Sequence, residues 1–144
     1  MPELSKRPVV KRDVLERVGD ARLAEANTLK EAGHYGSSIY LAGYAVECWL
    51  KVAIYSRLDW TEMHATFTTQ DLELLLLHSG LERRIQAVHP VHGNFAKIQE
   101  VWTMGGSNAI RYQDPAAFDE KDAAGFLDWV TGNDGVVPWV RKQI

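Results

Sequence analysis

The sequence predicts an all-α fold, a compact up-and-down bundle of about five or six helices. Residues 11–32 repeat apolar side chains with the period of a helix, and residues 36–57 are apolar on nearly every side. A helix without a polar face must be surrounded by protein or by lipid. No stretch shows the two-residue alternation typical of a half-buried strand. Residues 36–57 are therefore predicted to form the central helix of the bundle.

The first predicted helix runs from Lys11 to Ala32, after a flexible N-terminal arm formed by residues 1–10. Its apolar face consists of Val14, Leu15, Val18, Ala21, Ala26, Leu29 and Ala32. Gly33 follows at the position where a left-handed residue commonly ends a helix. Arg22 and Glu25 interrupt the apolar face. They either cover the rim of the core with their stems while their charges reach water, or form a polar pair that lines a cleft.

The third predicted helix is rich in leucine. Thr68 and Asp71 have the spacing of a helix start. Five leucines follow and make the helix apolar on most sides: Leu72, Leu74, Leu75, Leu76 and Leu77. Such a helix needs a partner on more than one side, so this pattern predicts a homodimer.

The remaining segments are bounded by proline, glycine or a capping carboxylate. A short helix is predicted over residues 81–89, where Pro90 breaks it, and another over 94–104, which ends at Gly105–Gly106. A further helix runs from the cap Asp119 through Val130, with Gly132 as its stop. A final turn covers residues 135–144 and has Pro138 at an early position. The sequence thus predicts one domain over residues 11–144.

Composition narrows the class of protein. The net charge is −3, with 16 basic and 19 acidic residues, so any contact with RNA must use a local patch. The single cysteine, Cys48, lies in the apolar helix and is predicted to be a buried, inert thiol. The charges of Glu47 and Lys51 within the same helix argue against a membrane segment. No apolar signal-peptide core precedes residue 35, which predicts a cytoplasmic protein.

Three segments resemble one family in the same order along the chain. Residues 35–51 (Tyr-Gly-Ser-Ser-Ile-Tyr-Leu-Ala-Gly-Tyr-Ala-Val-Glu-Cys-Trp-Leu-Lys) resemble the second helix of HEPN domains, which are small helical nucleotide-binding domains. The segment that begins Thr-Gln-Asp-Leu at Thr69 is similar to the family's Thr-His-Asp-Leu, and a Gly-Leu follows at 80–81. Arg111-Tyr112, with Asp114, is similar to the family's late Arg-Tyr-x-Asp. If the chain is a single domain, the resemblance covers roughly residues 12–144.

Many HEPN domains are metal-independent ribonucleases with an Arg followed four to six residues later by a His. A His can move the proton of the ribose 2′-hydroxyl, and an Arg can stabilise charge on the phosphate oxygens. Here Arg111 is not followed by such a His, and Gln70 stands where the family has the His of Thr-His-Asp-Leu. The one literal match is Arg84 with His89, although Ile85 replaces the polar residue that usually follows the Arg. The candidate catalytic residues are therefore Arg84, His89 and Arg111.

The alternative for Arg84 and His89 is a solvated arginine and a histidine near the end of a helix, where an imidazolium suits the helix dipole. His89 and His92 could form a metal pair. A catalytic zinc site needs a third protein ligand and a structural site a fourth, so a loop with two uncoordinated histidines is expected instead. The sequence predicts no metal and no cofactor.

The candidate ligand-binding residues are Arg111, Tyr112, Asp114, Glu47 and Lys51. The first three lie on a glycine-rich loop that ends at a proline, where functional side chains are often displayed. An Arg there can bind phosphate, and a Tyr can stack on a base. In the alternative interpretation Arg111 contacts Asp114 within a turn and Tyr112 packs into the core. Glu47 and Lys51, four residues apart, form a predicted same-face pair.

The resemblance implies a nucleotide-binding, RNA-binding or partner-binding module of a toxin–antitoxin or nucleotidyltransferase-associated system. Its partner would be a separate small nucleotidyltransferase, because the chain has no Gly-Ser…Asp-x-Asp signature of its own. One alternative is a metal-independent RNA endonuclease in which Arg111 acts with a displaced His64, His89 or His92. Another is a purely structural dimerisation module. Trp49 and Trp102 are predicted core residues, whereas Trp129 and Trp139 are candidates for an interface.

Overall fold

The computed structural model describes residues 10–61, 69–104 and 109–144. The described residues form seven α-helices: α1 (Arg12–Glu31), α2 (Tyr35–Leu58), α3 (Leu72–Ser79), α4 (Glu82–Gln86), α5 (His89–Trp102), α6 (Glu120–Thr131) and α7 (Val136–Lys142). Two short 3-10 helices, Ala109–Tyr112 and Pro115–Ala117, lie between α5 and α6. No β-strand occurs in these three ranges, and the all-α prediction is confirmed.

Helix α2 is the centre of the bundle. It packs against α1 over much of its length and against α3, α6 and α7 on other sides. Its buried side chains include Val46, Cys48, Trp49 and Ile54, which point to several sides of the helix. This arrangement confirms the central position that its apolar sequence predicts, because each apolar side has a neighbouring helix to cover it.

A tight turn connects α1 to α2. Gly33 has a φ of +86°, and the next residue, His34, donates its backbone N–H to the carbonyl of Leu29 at 2.8 Å. The predicted left-handed end of the first helix is therefore confirmed. On α1, Arg22 and Glu25 form an ion pair with each other, and their side chains remain 32% and 45% exposed. Their charges thus reach solvent at the edge of the helix.

Helix α3 begins later than predicted. Asp71 is its N-cap and accepts a hydrogen bond from the backbone N–H of Leu74 at 3.1 Å. The predicted start at Thr68 lies outside the described residues. Three leucines of this helix are buried, whereas Leu74 and Leu77 are 38% and 52% exposed. The leucine-rich helix therefore packs one face on the core and leaves two leucines at the surface.

Pro90 begins a helix rather than ending one, so the predicted helix over 81–89 is wrong in its second half. Helix α4 ends at Gln86, and α5 starts at His89 with Pro90 in its first turn, five residues before the predicted start. Proline suits a first turn because its missing N–H would have no helical partner there and its φ is already helical. His89 and His92 consequently lie on a helix and not in the predicted loop. The predicted helix end at Gly105–Gly106 lies outside the described residues.

The C-terminal helices follow the sequence signals. Asp119 caps α6 through a reciprocal pair of hydrogen bonds with Asp122, and Gly132 ends the helix with an ordinary φ of −69° rather than a left-handed one. Trp49 and Trp102 are buried as predicted. The two later tryptophans, Trp129 and Trp139, are partly buried and pack against the core. No helix within the described ranges is long and apolar enough to cross a membrane.

Candidate functional site

Arg111 is held in place by two neighbours from distant parts of the chain. It lies on the 3-10 helix Ala109–Tyr112, and its Nη2 donates to Oε1 of Gln70 at 2.9 Å. Its guanidinium carbon lies 5.6 Å from the centre of the Tyr40 ring, within the range of a cation–π interaction. Arg111 remains an exposed residue. The guanidinium is thus positioned without being buried.

The other two candidates on this loop behave differently. Tyr112 is 84% exposed, so the interpretation that it packs into the core is wrong. Asp114 accepts a hydrogen bond from the backbone N–H of Ala116 at 2.9 Å and caps the second 3-10 helix. Arg111 is directed to Gln70 rather than to Asp114. The loop therefore presents a positioned cation beside an exposed aromatic ring.

The support for Arg111 is an aromatic stack between α2 and the end of α5. The rings of Tyr40 and Trp102 are nearly parallel, with 5.7 Å between their centres and 6° between their planes. The indole N–H of Trp102 donates to the backbone carbonyl of Gln70 at 3.1 Å. Gly43 makes this close packing feasible, since a Cβ atom there would lie 2.3 Å from the Trp102 ring. Trp102 therefore positions both groups that hold Arg111.

Glu47 and Lys51 continue the same face of α2. Glu47 is two helical turns beyond Tyr40, and Lys51 one turn further. The Lys51 Nζ lies 3.0 Å from Oε2 of Glu47, with the two side chains 12% and 5% exposed, so the predicted same-face pair is confirmed. Oε1 of Glu47 has no hydrogen-bond partner among the described residues. Burial raises the pKa of Glu47, while the charges of Lys51 and Arg111 lower it and offset part of that rise.

A cavity of about 480 Å³ opens beside Arg111, at the start of α2. Its lining includes His34, Tyr35, Tyr40, Arg111 and Phe118. No aspartate or glutamate is among the described residues that line it. The cavity therefore combines a positively charged group, an imidazole and aromatic surface, which is a suitable environment for an anion attached to a planar ring.

The literal Arg–His match does not form one site. Arg84 lines a cavity near the ends of α2 and α3, whereas His89 lines another cavity, with Lys97 and Asp128. Neither residue lines the cavity of Arg111. His92 lies on the first turn of α5, and His64 is outside the described residues. Within the described ranges, no group of three or more His, Cys, Asp or Glu residues is placed to hold a metal ion.

Sequence reasoning missed the role of three residues around Arg111. In the sequence Gln70 is only a departure from a family motif, whereas in the structure it binds the arginine 41 positions further along the chain. Tyr40 could have been found from its seven-residue spacing to Glu47, which places both on one face of a helix. His34 shares the cavity only because α1 and α2 turn back on each other there. No local pattern indicates that arrangement.

Cys48 takes no part in the site. It is 1% exposed, and burial raises the pKa of its thiol to about 12. A thiol with so high a pKa is almost wholly protonated at neutral pH and is a poor nucleophile. The prediction of a buried, inert cysteine is confirmed.

Comparison of the chain with protein-family models, with curated proteins and with solved structures found no match. The evidence for its function therefore lies in the chemistry of the site and in the motifs of the sequence. The side chains best suited to bind a ligand or to transfer a proton are those of Arg111, Tyr112 and His34. Glu47 and Lys51 lie further along α2.

Proposed function

We propose that the protein is a HEPN-type nucleotide- or RNA-binding module, and that the cavity beside Arg111 receives a phosphate and the adjoining base. One observation carries this proposal. An exposed guanidinium is held by Gln70 and Tyr40 at the edge of a cavity of about 480 Å³ that has no described acidic lining residue. The volume falls within the usual range for small-molecule sites.

The phosphate would bind to Arg111. A guanidinium has five N–H donors, and the hydrogen bond to Gln70 uses one of them. Because Tyr40 and Gln70 already restrict the side chain, little further rotamer freedom is lost when an anion binds. The net charge of −3 does not attract a polyanion to the protein as a whole, so binding would depend on local cations such as Arg111.

The base would stack on an aromatic side chain. Tyr112 is 84% exposed and adjacent to Arg111, while Tyr35 and Phe118 line the cavity itself. Stacking of a base on an aromatic ring contributes roughly 1–3 kcal/mol and is tolerant of sequence. The same arrangement would therefore accept a free nucleotide or an unpaired residue of RNA.

A second candidate function is a metal-independent RNA endonuclease, and His34 is the observation that favours it. His34 lines the same cavity as Arg111, whereas His89 does not. In this candidate His34 would take the proton of the ribose 2′-hydroxyl as that oxygen attacks phosphorus, and Arg111 would stabilise the charge on the phosphate oxygens. The leaving 5′-oxygen would take a proton from water or from the protonated imidazole.

The test is binding of a short fluorescent RNA and of an adenine nucleotide, measured by anisotropy and by calorimetry in EDTA. Arg111→Gln is expected to weaken binding about tenfold or more, equivalent to about 1.4 kcal/mol. Arg83→Gln is the matched control, since it removes one exposed positive charge from α4, away from the cavity. Equal affinity in the two variants would refute the proposal.

The same samples separate the two candidate functions. Gel analysis of the RNA after incubation shows whether it is cut. RNA that stays intact with the wild-type protein would favour the binding module. Cleavage that is lost in His34→Ala would establish the nuclease function. A purely structural dimerisation module predicts that no nucleotide changes the temperature of unfolding.

The resemblance implies that such a module belongs to a toxin–antitoxin or nucleotidyltransferase-associated system, with a separate small nucleotidyltransferase as partner. A homodimer is part of the same proposal. Leu74 and Leu77 support it, because they leave apolar surface exposed on α3. Light scattering should give twice the mass of one 16.2 kDa chain, and Leu77→Lys should reduce it to one chain. A single-chain mass for the wild-type protein at micromolar concentration would contradict the dimer.

A further inference from the structure

A second cavity, of about 200 Å³, lies where the ends of α2 and α3 meet α4. Its polar lining consists of Ser56, Arg57, Ser79, Arg84 and Gln143. It has no lining residue in common with the cavity of Arg111. Its two arginines come from different helices, separated by 27 positions in the sequence. The fold therefore brings two positive charges to one small depression.

Arg57 is positioned by the end of α3. Its Nη1 donates to the backbone carbonyl of His78 at 2.8 Å. Gly80 adopts a left-handed φ of +77°, and a Cβ atom on it would lie 3.0 Å from both Cδ and Nε of Arg57. The arginine side chain thus lies directly across the glycine. This packing fixes Arg57 while its other N–H donors remain available for further hydrogen bonds.

Arg84 brings the second charge. It is exposed, and within the described ranges it has neither a side-chain hydrogen bond nor an ion pair. Arg57 likewise has no described carboxylate within 4.0 Å, and no aspartate or glutamate is among the described lining residues. Ile144, the last residue of the sequence, also lines the cavity, and its main-chain carboxylate forms no ion pair with either arginine. Two like charges beside one cavity repel each other, and an anion between them would offset that repulsion with two attractions.

We propose that this cavity binds a phosphate-type oxyanion between the guanidinium groups of Arg57 and Arg84. The Ser56 hydroxyl, which also lines the cavity, would supply a further donor. A volume of about 200 Å³ admits a phosphate with a few waters, since one water occupies roughly 30 Å³ of liquid. It is smaller than the usual site for a whole drug-sized ligand. The phosphate could be free in solution or part of an RNA backbone.

The first measurement is an NMR titration of the full chain with inorganic phosphate at constant ionic strength, with chloride as reference. Saturable shifts are expected at the amides of Gly80, Leu81 and Arg84. Arg84→Gln should weaken the site about tenfold, whereas Arg83→Gln, which removes the neighbouring exposed charge from the same short helix, should leave the midpoint unchanged. Arg84 is the better position to change because Arg57 also binds the end of α3.

A parallel titration with a short RNA identifies the source of the phosphate. Loss of RNA affinity in Arg84→Gln would indicate a backbone phosphate, and loss of only inorganic phosphate binding would indicate a free anion. Arg111→Gln should retain phosphate binding at this cavity, so failure of the proposed nucleotide site would not affect the result. Shifts that do not saturate in the wild type, or equal midpoints in Arg84→Gln and Arg83→Gln, would overturn the proposal.

Discussion

Arg111 and Gln70 are joined by a hydrogen bond of 2.9 Å between Nη2 and Oε1, although they are 41 positions apart in the sequence. Gln70 occupies the position of the His in the motif that this segment resembles. An amide can hold the guanidinium as an acceptor, but it does not titrate and cannot carry a proton as an imidazole does. The pair therefore suits a site that binds an anion, and any acid–base chemistry would need another residue.

Substitution of Gln70 by Leu should weaken ligand binding without unfolding the protein. The leucine cannot accept the hydrogen bond, so Arg111 loses one of its two restraints and more of its freedom is lost on binding. The Kd for a short fluorescent RNA is expected to rise about threefold to tenfold, which corresponds to about 1 kcal/mol. Gln86→Leu, at an exposed position on α4, is the control. Equal affinities of both variants would show that Gln70 does not position Arg111.

Lys51→Met should destabilise the protein by about 3 kcal/mol. The methionine leaves the buried Glu47 without the cation that lies 3.0 Å away. Urea unfolding monitored by tryptophan fluorescence measures the effect. Lys142→Met, at an exposed position on α7, should change the free energy of unfolding by less than about 0.5 kcal/mol. Similar stability of the two variants would contradict a stabilising role for the pair.

The stability of the protein should carry a pH dependence that comes from Glu47. Burial raises its folded-state pKa above the ordinary value of 4.5. Between 4.5 and the raised value the folded chain holds a proton that the unfolded chain has released. The contribution of Glu47 is therefore largest below about pH 4.5 and falls as the pH rises through the folded-state pKa.

Glu47→Gln should remove this fall, because an amide does not titrate. The free energy of unfolding of wild type and variant is compared in urea from acid to neutral pH. As the pH rises, the free energy of unfolding of the wild type should fall relative to that of Glu47→Gln. Glu100→Gln, at an exposed position, should run parallel to the wild type. A pH-independent difference between Glu47→Gln and wild type would show that the carboxyl has its ordinary pKa.

Gly43→Ala should be strongly destabilising. Its Cβ atom would lie 2.3 Å from the Trp102 ring, so the indole must leave the Tyr40 stack or the helices must separate. Overpacking of this kind costs roughly 1–3 kcal/mol, and ligand binding should fall as well because Trp102 supports Gln70. Gly125→Ala is the control, since nothing lies within 4 Å of its added Cβ. It should stabilise α6 by about 0.5–1 kcal/mol, the usual gain of Ala over Gly in a helix.

Thermal unfolding of both glycine variants measures this contrast. A Gly43→Ala protein as stable as the Gly125→Ala protein would mean that Trp102 can move without loss. Retained ligand affinity in a destabilised Gly43→Ala protein would show that binding does not depend on the Tyr40–Trp102 stack.

Most of the predicted helices could be found from the sequence because the signals that form them are local. The apolar repeat of α1, the left-handed Gly33 and the capping carboxylate Asp119 each act within one or two helical turns. The errors arose where one local signal has two meanings. Proline can end a helix or begin one. Pro90 lies in the first turn of α5, where a backbone N–H would have no helical partner, so its missing N–H costs nothing there.

Local sequence patterns were sufficient to predict the all-α class, the central position of α2 and the same-face pair of Glu47 with Lys51, because backbone preference and helical period govern all three. Which side chains share a cavity depends instead on how the helices pack. That packing places His34 beside Arg111 and separates Arg84 from His89. The physical reason is that those neighbours depend on how closely whole helices approach, as at Gly43, where one missing side chain admits Trp102.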